Sequence, residues 1–159
     1  MSVERVRAYL ARFGKDDCVQ EFDVSSATVE LAAQAVGVIP ARIAKTLSFQ
    51  IGEGAALVVC AGDAKVDNRK FKDTFGTKAK MLHGEQVAEL TGNAAGGVCP
   101  FALGDRPVKT YLDRPLQRFD TVYPAAGSAN SAVEMSCAEL ETCADHFSGW
   151  VDVCKGWEA

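Results

Sequence analysis

Residues 43–61 read IAKTLSFQIGEGAALVVCA, and this stretch decides the fold that the sequence predicts. Two apolar runs, Ile43–Ile51 and 55–61, flank the tripeptide Gly-Glu-Gly at 52–54, and a short glycine-containing loop between two such runs is typical of a β-hairpin. The second run is apolar almost throughout, which indicates a strand covered on both faces. We therefore expect a central hairpin, with Lys45 near the start of its first strand.

The segments on either side of this hairpin alternate between helix and strand patterns. Val3, Val6, Leu10 and Phe13 recur at three- and four-residue steps and predict an amphipathic opening helix that ends at Gly14. The other predicted helices are 28–36, capped by Ser25-Ser26, 68–75, begun by Asp67, 85–90, and a Ser136-capped helix to about His146. The other predicted strands are 18–22, 78–82, 108–112, 121–123, 132–135 and 150–153. This mixture predicts an α+β fold in one domain, 1–159, with a curled, mostly antiparallel mixed sheet surrounded by helices.

Composition narrows the class of protein. With 159 residues, 48% of them hydrophobic, the chain can bury a core without metal or disulfide support. A net charge of −4 and a pI near 5.2 argue against general duplex binding, so we expect no DNA partner. No apolar run approaches the ~20 residues of a membrane span, and the charged start is unlike a signal peptide. We expect a cytoplasmic protein that does not bind membranes.

Cysteine and histidine spacing offers no metal cage. The six cysteines form no C-x-x-C pair, and His83 and His146 are not spaced from them as metal ligands usually are. The chain also has no phosphate-binding Walker loop or dinucleotide fingerprint. We therefore expect neither a metal nor a cofactor. A serine triad has no support either, since neither histidine accompanies a recognisable nucleophile motif.

A glycine-rich turn is the first candidate site. Residues 96–101 read GGVCPF, and glycine lets a ligand approach main-chain N–H groups closely. Because Pro100 favours an extended conformation at Cys99, the N–H groups of Gly97, Val98 and Cys99 could converge on one oxygen atom, as in an oxyanion site. The alternative is an ordinary loop between strands.

Positively charged residues supply two further candidate ligand-binding sites. Lys45 lies among apolar neighbours, where an unpaired ammonium is costly, so it is either a ligand contact or a surface lysine at a strand end. Several cations also cluster between residues 65 and 80, and Lys65, Arg69 and Lys70 are candidate phosphate contacts. The alternative for this cluster is a solvated helix face.

Four segments occur together in the order and at the separations of a known family. They are AKTLSF at 44–49, LTG at 90–92 leading into GGVCP at 96–100, VKTYLD at 108–113, and FDTVY at 119–123 followed by Ala126-Gly127 and VEM at 133–135. On these segments the chain resembles the YbaK/prolyl-tRNA-editing family of free-standing aminoacyl-tRNA deacylases. Two positions depart from the family pattern: Cys99 replaces a more usual serine, and Gly127 is followed by Ser-Ala-Asn instead of a basic, glycine-containing turn.

The resemblance implies the same fold and a specific activity. It implies a trans-editing enzyme that hydrolyses the ester of alanine or cysteine mischarged on tRNA(Pro), by backbone oxyanion stabilisation and attack assisted by the substrate's own groups. Its implied partners are the acceptor end of aminoacyl-tRNA and a prolyl-tRNA synthetase. The catalytic set carried over is Lys45, Gly96, Gly97, Val98 and Cys99. The substrate-binding set is Thr46, Pro100, Ala126, Gly127 and Ser128, although the turn at Gly127 would also suit a plain hairpin.

The residues alone leave two other functions open. A non-catalytic tRNA- or nucleotide-binding module of the same fold would carry a disrupted Lys45 or glycine loop. A small-molecule esterase would use an activated protein nucleophile, for which Cys99 is the candidate.

Overall fold

The computed structural model describes residues 2–93 and 98–157, in which helices and strands alternate along the chain. The α-helices of these residues are α1 Ser2–Ala11, α2 Val29–Val36, α3 Asn68–Phe75, α4 Glu85–Thr91 and α5 Cys137–Cys143. The strands are β1 Val19–Glu21, β2 Ile43–Ile51, β3 Gly54–Ala61, β4 Lys65–Val66, β5 Val108–Asp113, β6 Thr121–Pro124, β7 Ser131–Val133, β8 Met135–Ser136, β9 Phe147–Val151 and β10 Cys154–Lys155. Short 3-10 helices occupy Asp16–Cys18, Pro40–Arg42 and Arg114–Arg118.

Six strands form one mixed sheet in the order β8-β6-β2-β3-β5-β9. The predicted hairpin, β2 with β3, lies at its centre and pairs antiparallel from Ala44 opposite Ala61 to Ile51 opposite Gly54. The β2–β6, β3–β5 and β5–β9 pairs are parallel, whereas β6–β8 is antiparallel. Two antiparallel pairs, β1–β7 and β10–β4, make separate small sheets. The predicted mixed α+β fold is confirmed.

The balance of strand directions differs between the main sheet and the whole fold. Within the described residues, four of the seven strand pairings are antiparallel, and all three parallel ones lie in the six-stranded sheet. Each parallel pairing joins strands separated by long connections, as parallel geometry requires. The predicted excess of antiparallel pairing therefore holds for the fold as a whole and not for the main sheet.

Helix ends follow their capping residues. Asp67 accepts hydrogen bonds from the backbone N–H groups of the first turn of α3, and Gly76 ends that helix in the left-handed conformation, as the sequence predicts. The predicted Ser25-Ser26 cap of α2 is wrong, because Thr28 caps it by accepting from the N–H of Leu31.

Three predicted strands and two helix ends differ from the structure. Helix α1 ends at Ala11 instead of Gly14. Residues 78–82 form only an isolated bridge, from Met81 to Phe49. The predicted strand 132–135 is two strands, because β7 pairs with β1 while β8 pairs with β6 on another sheet. Helix α5 ends at Cys143, and the predicted closing strand begins earlier, at Phe147, because the chain there pairs with β5. The division of 132–135 and the start of β9 are set by partner strands that are remote in sequence.

The core covers both faces of β3, where residues 57–61 are fully buried. On one face Phe71 of α3 packs against Phe49 of β2 with ring centroids 4.7 Å apart. On the other face Leu57 packs with Leu82 and with Val87 of α4. Burial of one such large side chain contributes roughly 1.5–3 kcal/mol, so these contacts fix the hairpin between two helical layers. None of the helices in residues 2–93 and 98–157 is long and apolar enough to cross a membrane.

Candidate functional site

The outer edge of β2 is only partly paired. Strand β6 pairs with Ile43 and Ala44 and then diverges. Further along, the N–H of Gln50 donates to the carbonyl of Lys80, and the carbonyl of Ser48 accepts from Leu82. Because alternate residues of a strand direct their backbone groups to the same edge, the N–H and C=O of Thr46 face the gap between these two contacts. In the described residues no strand fills this gap.

A cavity of about 350 Å³ lies along the gap. It is bounded by the start of α2, by β2, by the β6–β7 region, by α4 and by the segment after residue 97. The lining residues are mostly apolar with a few hydroxyls: Ser26, Ala27, Thr28, Val29, Ala32, Ile43, Ala44, Lys45, Thr46, Leu47, Ser48, Met81, Leu82, Val87, Val98, Tyr123, Ala125, Ser131 and Ala132.

Lys45 is the single charged residue among these described lining residues. It is half-buried on β2, opposite Cys60 of β3, and its Nζ donates a hydrogen bond to the backbone carbonyl of Ala64. The turn after β3 brings this carbonyl back beside the lysine. A cation in an otherwise uncharged cavity suits a ligand that carries a phosphate or a polarisable carbonyl.

Two hydroxyls of the cavity residues have no hydrogen-bond partner among the described residues. Thr46 Oγ1 and Ser26 Oγ are both buried, and neither makes a hydrogen bond within the described residues. A buried hydroxyl left unpaired costs about 1–3 kcal/mol. Both residues belong to the cavity wall, although the two oxygen atoms are themselves shielded from solvent.

The glycine-rich turn is described only in part. Gly96 and Gly97, both predicted to be catalytic, lie outside the described residues. Val98 lines the cavity, as expected of a residue in this turn. Pro100 is buried, and its carbonyl accepts a hydrogen bond of 2.7 Å from the N–H of Asp145, which fixes the chain after the turn.

The Cys99 side chain does not line the cavity. It is fully buried in the main core cluster, where Asn93 Nδ2 donates to its Sγ over 3.7 Å. Burial raises the pKa of this thiol to about 11, so it stays protonated at neutral pH. The geometry therefore favours a backbone role for Cys99 over the nucleophilic role that an esterase would need.

The predicted turn at 126–128 lies behind the cavity wall. Ala126 is fully buried, and Gly127 has a φ of +95°. Ser128 Oγ donates to Asn130 Oδ1 over 2.8 Å and lies 2.7 Å from Ser131 Oγ. None of the three lines the cavity, whereas Ala125 and Ser131 on either side do. The turn supports the wall that its neighbours form.

The three candidate phosphate contacts are outside the cavity and differ from one another. Lys70 Nζ pairs with Asp152 Oδ1 at 3.2 Å and donates to the carbonyl of Cys154. Lys65 on β4 and Arg69 on α3 are exposed. Lys70 is thus engaged within the protein, and Lys65 and Arg69 are the accessible cations of the set.

One buried cluster contains metal-ligating atom types. Cys60, Asp113 and Cys154 place their donor atoms within 4.8 Å of one another, with the two sulfurs 3.6 Å apart. Asp113 Oδ1 already accepts from the N–H of Val153 at 3.0 Å. These three side chains are one donor short of the four that a closed zinc site uses, and they do not line the cavity.

Several cavity residues carry no recognisable sequence signal. Ser26 resembles a helix cap, and Met81 resembles a strand residue. Tyr123 and Ser131 belong to short strands, and only the fold brings them to β2. A polar residue just before a helix is the weak signal that could have indicated Ser26, and a polar residue at the start of a short strand the one that could have indicated Ser131.

Comparison with known proteins identifies the family. The model of the aminoacyl-tRNA editing domain matches residues 23–143, and the chain belongs to this family. This confirms the resemblance found in the sequence.

Individual relatives agree with that assignment. Uncharacterized protein YwhH of Bacillus subtilis (strain 168) is 52% identical over 161 residues, which cover 99% of this chain and 100% of the relative. The solved structure of a protein described as a "putative trans-editing enzyme for prolyl tRNA synthetase" is similar, with a TM-score of 0.86 and 31% identity over 98% of both chains. The structure of hypothetical protein APE2540 has a TM-score of 0.82 and 28% identity, over 95% of this chain and 99% of that one.

Proposed function

We propose that this protein is a trans-acting aminoacyl-tRNA deacylase that hydrolyses the ester of alanine or cysteine mischarged on tRNA(Pro). The observation that carries the proposal is Lys45, a lone cation in a cavity whose described lining is otherwise uncharged. The similarity to a structure described as a trans-editing enzyme for prolyl tRNA synthetase supports the choice of tRNA. Prolyl-tRNA synthetase would supply the mischarged substrate.

The acceptor end would enter along the open edge of β2. Lys45 would bind the phosphate of the terminal adenosine or the ester carbonyl, since an ammonium retains donors beyond the one used on Ala64. The unpaired hydroxyls of Thr46 and Ser26 and the backbone of Thr46 would pair with polar groups of the terminal nucleotide. Lys65 and Arg69, which are exposed, would meet phosphates further along the acceptor stem.

The chemistry would need only positioning and stabilisation of the oxyanion. Water attacks the ester carbonyl carbon, the carbonyl oxygen becomes an oxyanion bound by N–H groups of residues 97–99, and collapse expels the ribose oxygen, which takes up a proton. The described cavity lining contains no histidine, aspartate or glutamate. The terminal ribose hydroxyl or the cysteinyl thiol of the substrate would therefore assist proton transfer.

Alanine and cysteine are the expected substrates because the amino-acid pocket of a synthetase discriminates poorly between amino acids of similar size. A difference of about one methylene is worth only ~1–3 kcal/mol in a binding pocket, so a second hydrolytic site is the physical remedy. Alanine and cysteine are both close enough to proline in size to enter the amino-acid pocket of prolyl-tRNA synthetase.

The proposed function is tested by measuring the hydrolysis of a panel of aminoacylated tRNAs. Ala-tRNA(Pro) and Cys-tRNA(Pro) should be deacylated, and Pro-tRNA(Pro) and Ala-tRNA(Ala) should be spared, at two salt concentrations because phosphate contacts depend on salt. Lys109→Ala, at an exposed lysine outside the cavity and outside the cation cluster at 65–80, is the matched control for Lys45→Ala.

The same experiment separates the alternatives. Binding of the mischarged tRNAs without turnover would instead indicate a non-catalytic module. Turnover of simple esters with an acyl group trapped on Cys99 would indicate an esterase. Burial of Cys99 argues against the latter.

A further inference from the structure

Arg5 of helix α1 contacts the chain immediately before the glycine-rich turn. Its Nη2 donates to the carbonyl of Gly92 at 2.8 Å and to Asn93 Oδ1 at 2.9 Å. These contacts join positions 87 and 88 residues apart in sequence. Hydrogen bonds from a guanidinium are charge-assisted, which makes them stronger than neutral ones.

The contact of Arg5 with Gly92 depends on the absence of a side chain at Gly92. Gly92 ends α4 with a φ of +78°, in the left-handed region. A Cβ at this position would lie 2.9 Å from Arg106 Cζ and 3.0 Å from Arg5 Nη1. Two guanidinium groups therefore pack against the open face of the glycine, and Arg106 is itself held by its bond to the carbonyl of Leu103.

Asn93 transmits the contact across the turn. It is 1% exposed, and its backbone N–H donates to Thr91 Oγ1 at 3.1 Å. Its side-chain oxygen accepts from Arg5, while its side-chain nitrogen donates to Cys99 Sγ. One buried amide thus links helix α1 to the residue that follows Val98, a lining residue of the cavity.

We propose that Arg5 is a positioning residue that fixes Asn93 and, through it, Cys99 and Val98 at the cavity wall. Its effect on catalysis rests on the function proposed above, whereas its effect on Cys99 does not. Arg5 precedes residue 23, where the match to the family model begins. Through Arg5 the opening helix contributes to the site, although none of its residues is among the described lining residues of the cavity.

The test compares Arg5→Ala with Arg5→Lys and with Arg7→Ala. Arg7 is on the same helix and pairs at 3.3 Å with the exposed Glu21, so its loss should leave the site unchanged. In Arg5→Ala we expect kcat on mischarged tRNA to fall about 10- to 100-fold with KM within about twofold, because misplacement of reacting groups has this effect. Arg5→Lys should recover part of the loss.

A second readout needs no substrate. The rate of alkylation of Cys99 by iodoacetamide, followed by peptide mass spectrometry, should rise at least about tenfold in Arg5→Ala and stay at the wild-type rate in Arg7→Ala. Cys60, Cys143 and Cys154 are also buried and serve as internal controls. Only Cys99 should become more reactive.

The outcomes separate the two proposals. Unchanged Cys99 alkylation in Arg5→Ala would overturn the positioning role, and so would an equal rise at all four buried cysteines, which would indicate global unfolding. An unchanged kcat beside faster Cys99 alkylation would overturn its catalytic part. Faster alkylation of Cys99 alone in Arg5→Ala, together with a wild-type protein that hydrolyses no charged tRNA, would support the positioning role of Arg5 and refute the proposed function.

Discussion

Lys45 donates a hydrogen bond from Nζ to the backbone carbonyl of Ala64, and this contact fixes the single cation of the described cavity lining. The carbonyl satisfies one of the three donors of the ammonium and brings no opposing charge. The lysine is thus held in one place and retains two donors for a ligand. A carboxylate at the same position would have competed with a phosphate for the cation.

We expect Lys45→Ala to lower kcat/KM for deacylation by about two orders of magnitude, because it removes the charge that binds the substrate. Lys45→Met, which keeps most of the aliphatic side chain, should lose as much activity and retain more stability. Single-turnover deacylation and thermal unfolding measure the two effects. Near wild-type turnover by either variant would show that the cation is not part of the site.

Cys99→Ser tests whether residue 99 acts through its backbone or its thiol. The backbone N–H remains in the serine variant, so at least about a third of the activity should remain, whereas Gly97→Ala should cost far more by crowding the ligand. Mass spectrometry of the wild-type protein during turnover should detect no acyl-enzyme. A covalent adduct on Cys99, together with an inactive serine variant, would establish a thiol nucleophile.

Thr46→Val should stabilise the free protein. Thr46 Oγ1 is buried without a partner in the described residues, so replacing it with a methyl group of similar shape removes a desolvation cost. We expect unfolding free energy to rise by up to about 1 kcal/mol and KM for mischarged tRNA to rise several-fold. Urea unfolding and steady-state kinetics check both, and a destabilised variant with unchanged KM would contradict the assignment of this hydroxyl to substrate.

Asp113→Asn should change how stability depends on pH. Burial raises the pKa of this fully buried carboxyl above the 3.8 expected in the unfolded chain. The native protein therefore binds more protons than the unfolded chain in the window above pH 3.8, so this group's contribution to stability is complete below that pH and falls as the pH rises through the native pKa.

The measurement is the difference in unfolding free energy, wild type minus Asp113→Asn, from about pH 3.5 to 7. The asparagine keeps an acceptor for the N–H of Val153, so the variant isolates the ionisation. The difference should become less favourable to the wild type as the pH rises. A difference that grows with pH would mean that the carboxyl is stabilised in its charged form.

EDTA should leave deacylation unchanged. The described cavity lining offers no histidine, cysteine, aspartate or glutamate, and the Cys60–Asp113–Cys154 cluster lies elsewhere with three donors. The assay is activity before and after chelation and gel filtration. Activity that disappears with EDTA and returns with added zinc would require a metal in the reaction.

The parts of the fold that the sequence predicts are those determined locally. Helix α3 is predicted to the residue because Asp67 and Gly76 mark its two ends, and the β2–β3 hairpin follows from two apolar runs around a glycine loop. The division of 132–135 into β7 and β8 is not predictable in this way, because it depends on pairing with β1 and β6. Long-range partners decide where a strand ends.

The residues of the candidate site also divide into those predicted from local sequence and those placed by the fold. Lys45, Thr46 and Val98 are predicted from motifs and lie together on the cavity wall. Ser26 and Tyr123 reach that wall only through the packing of α2 and β6, for which no local pattern exists. The burial of Cys99 is also a property of the fold, since its position in a glycine-rich turn predicted access to substrate.

Within residues 2–93 and 98–157, the edge of β2 between Ala44 and Ser48 has no pairing strand, and this has a consequence for self-association. An open strand edge is a template on which another chain can add a strand. Here that edge is only three residues long, faces a concave surface and is bordered by the bridge of Met81 to Phe49. Substitutions that disrupt this bridge would lengthen the open edge, so resistance to aggregation and access for a ligand are set by the same few backbone groups.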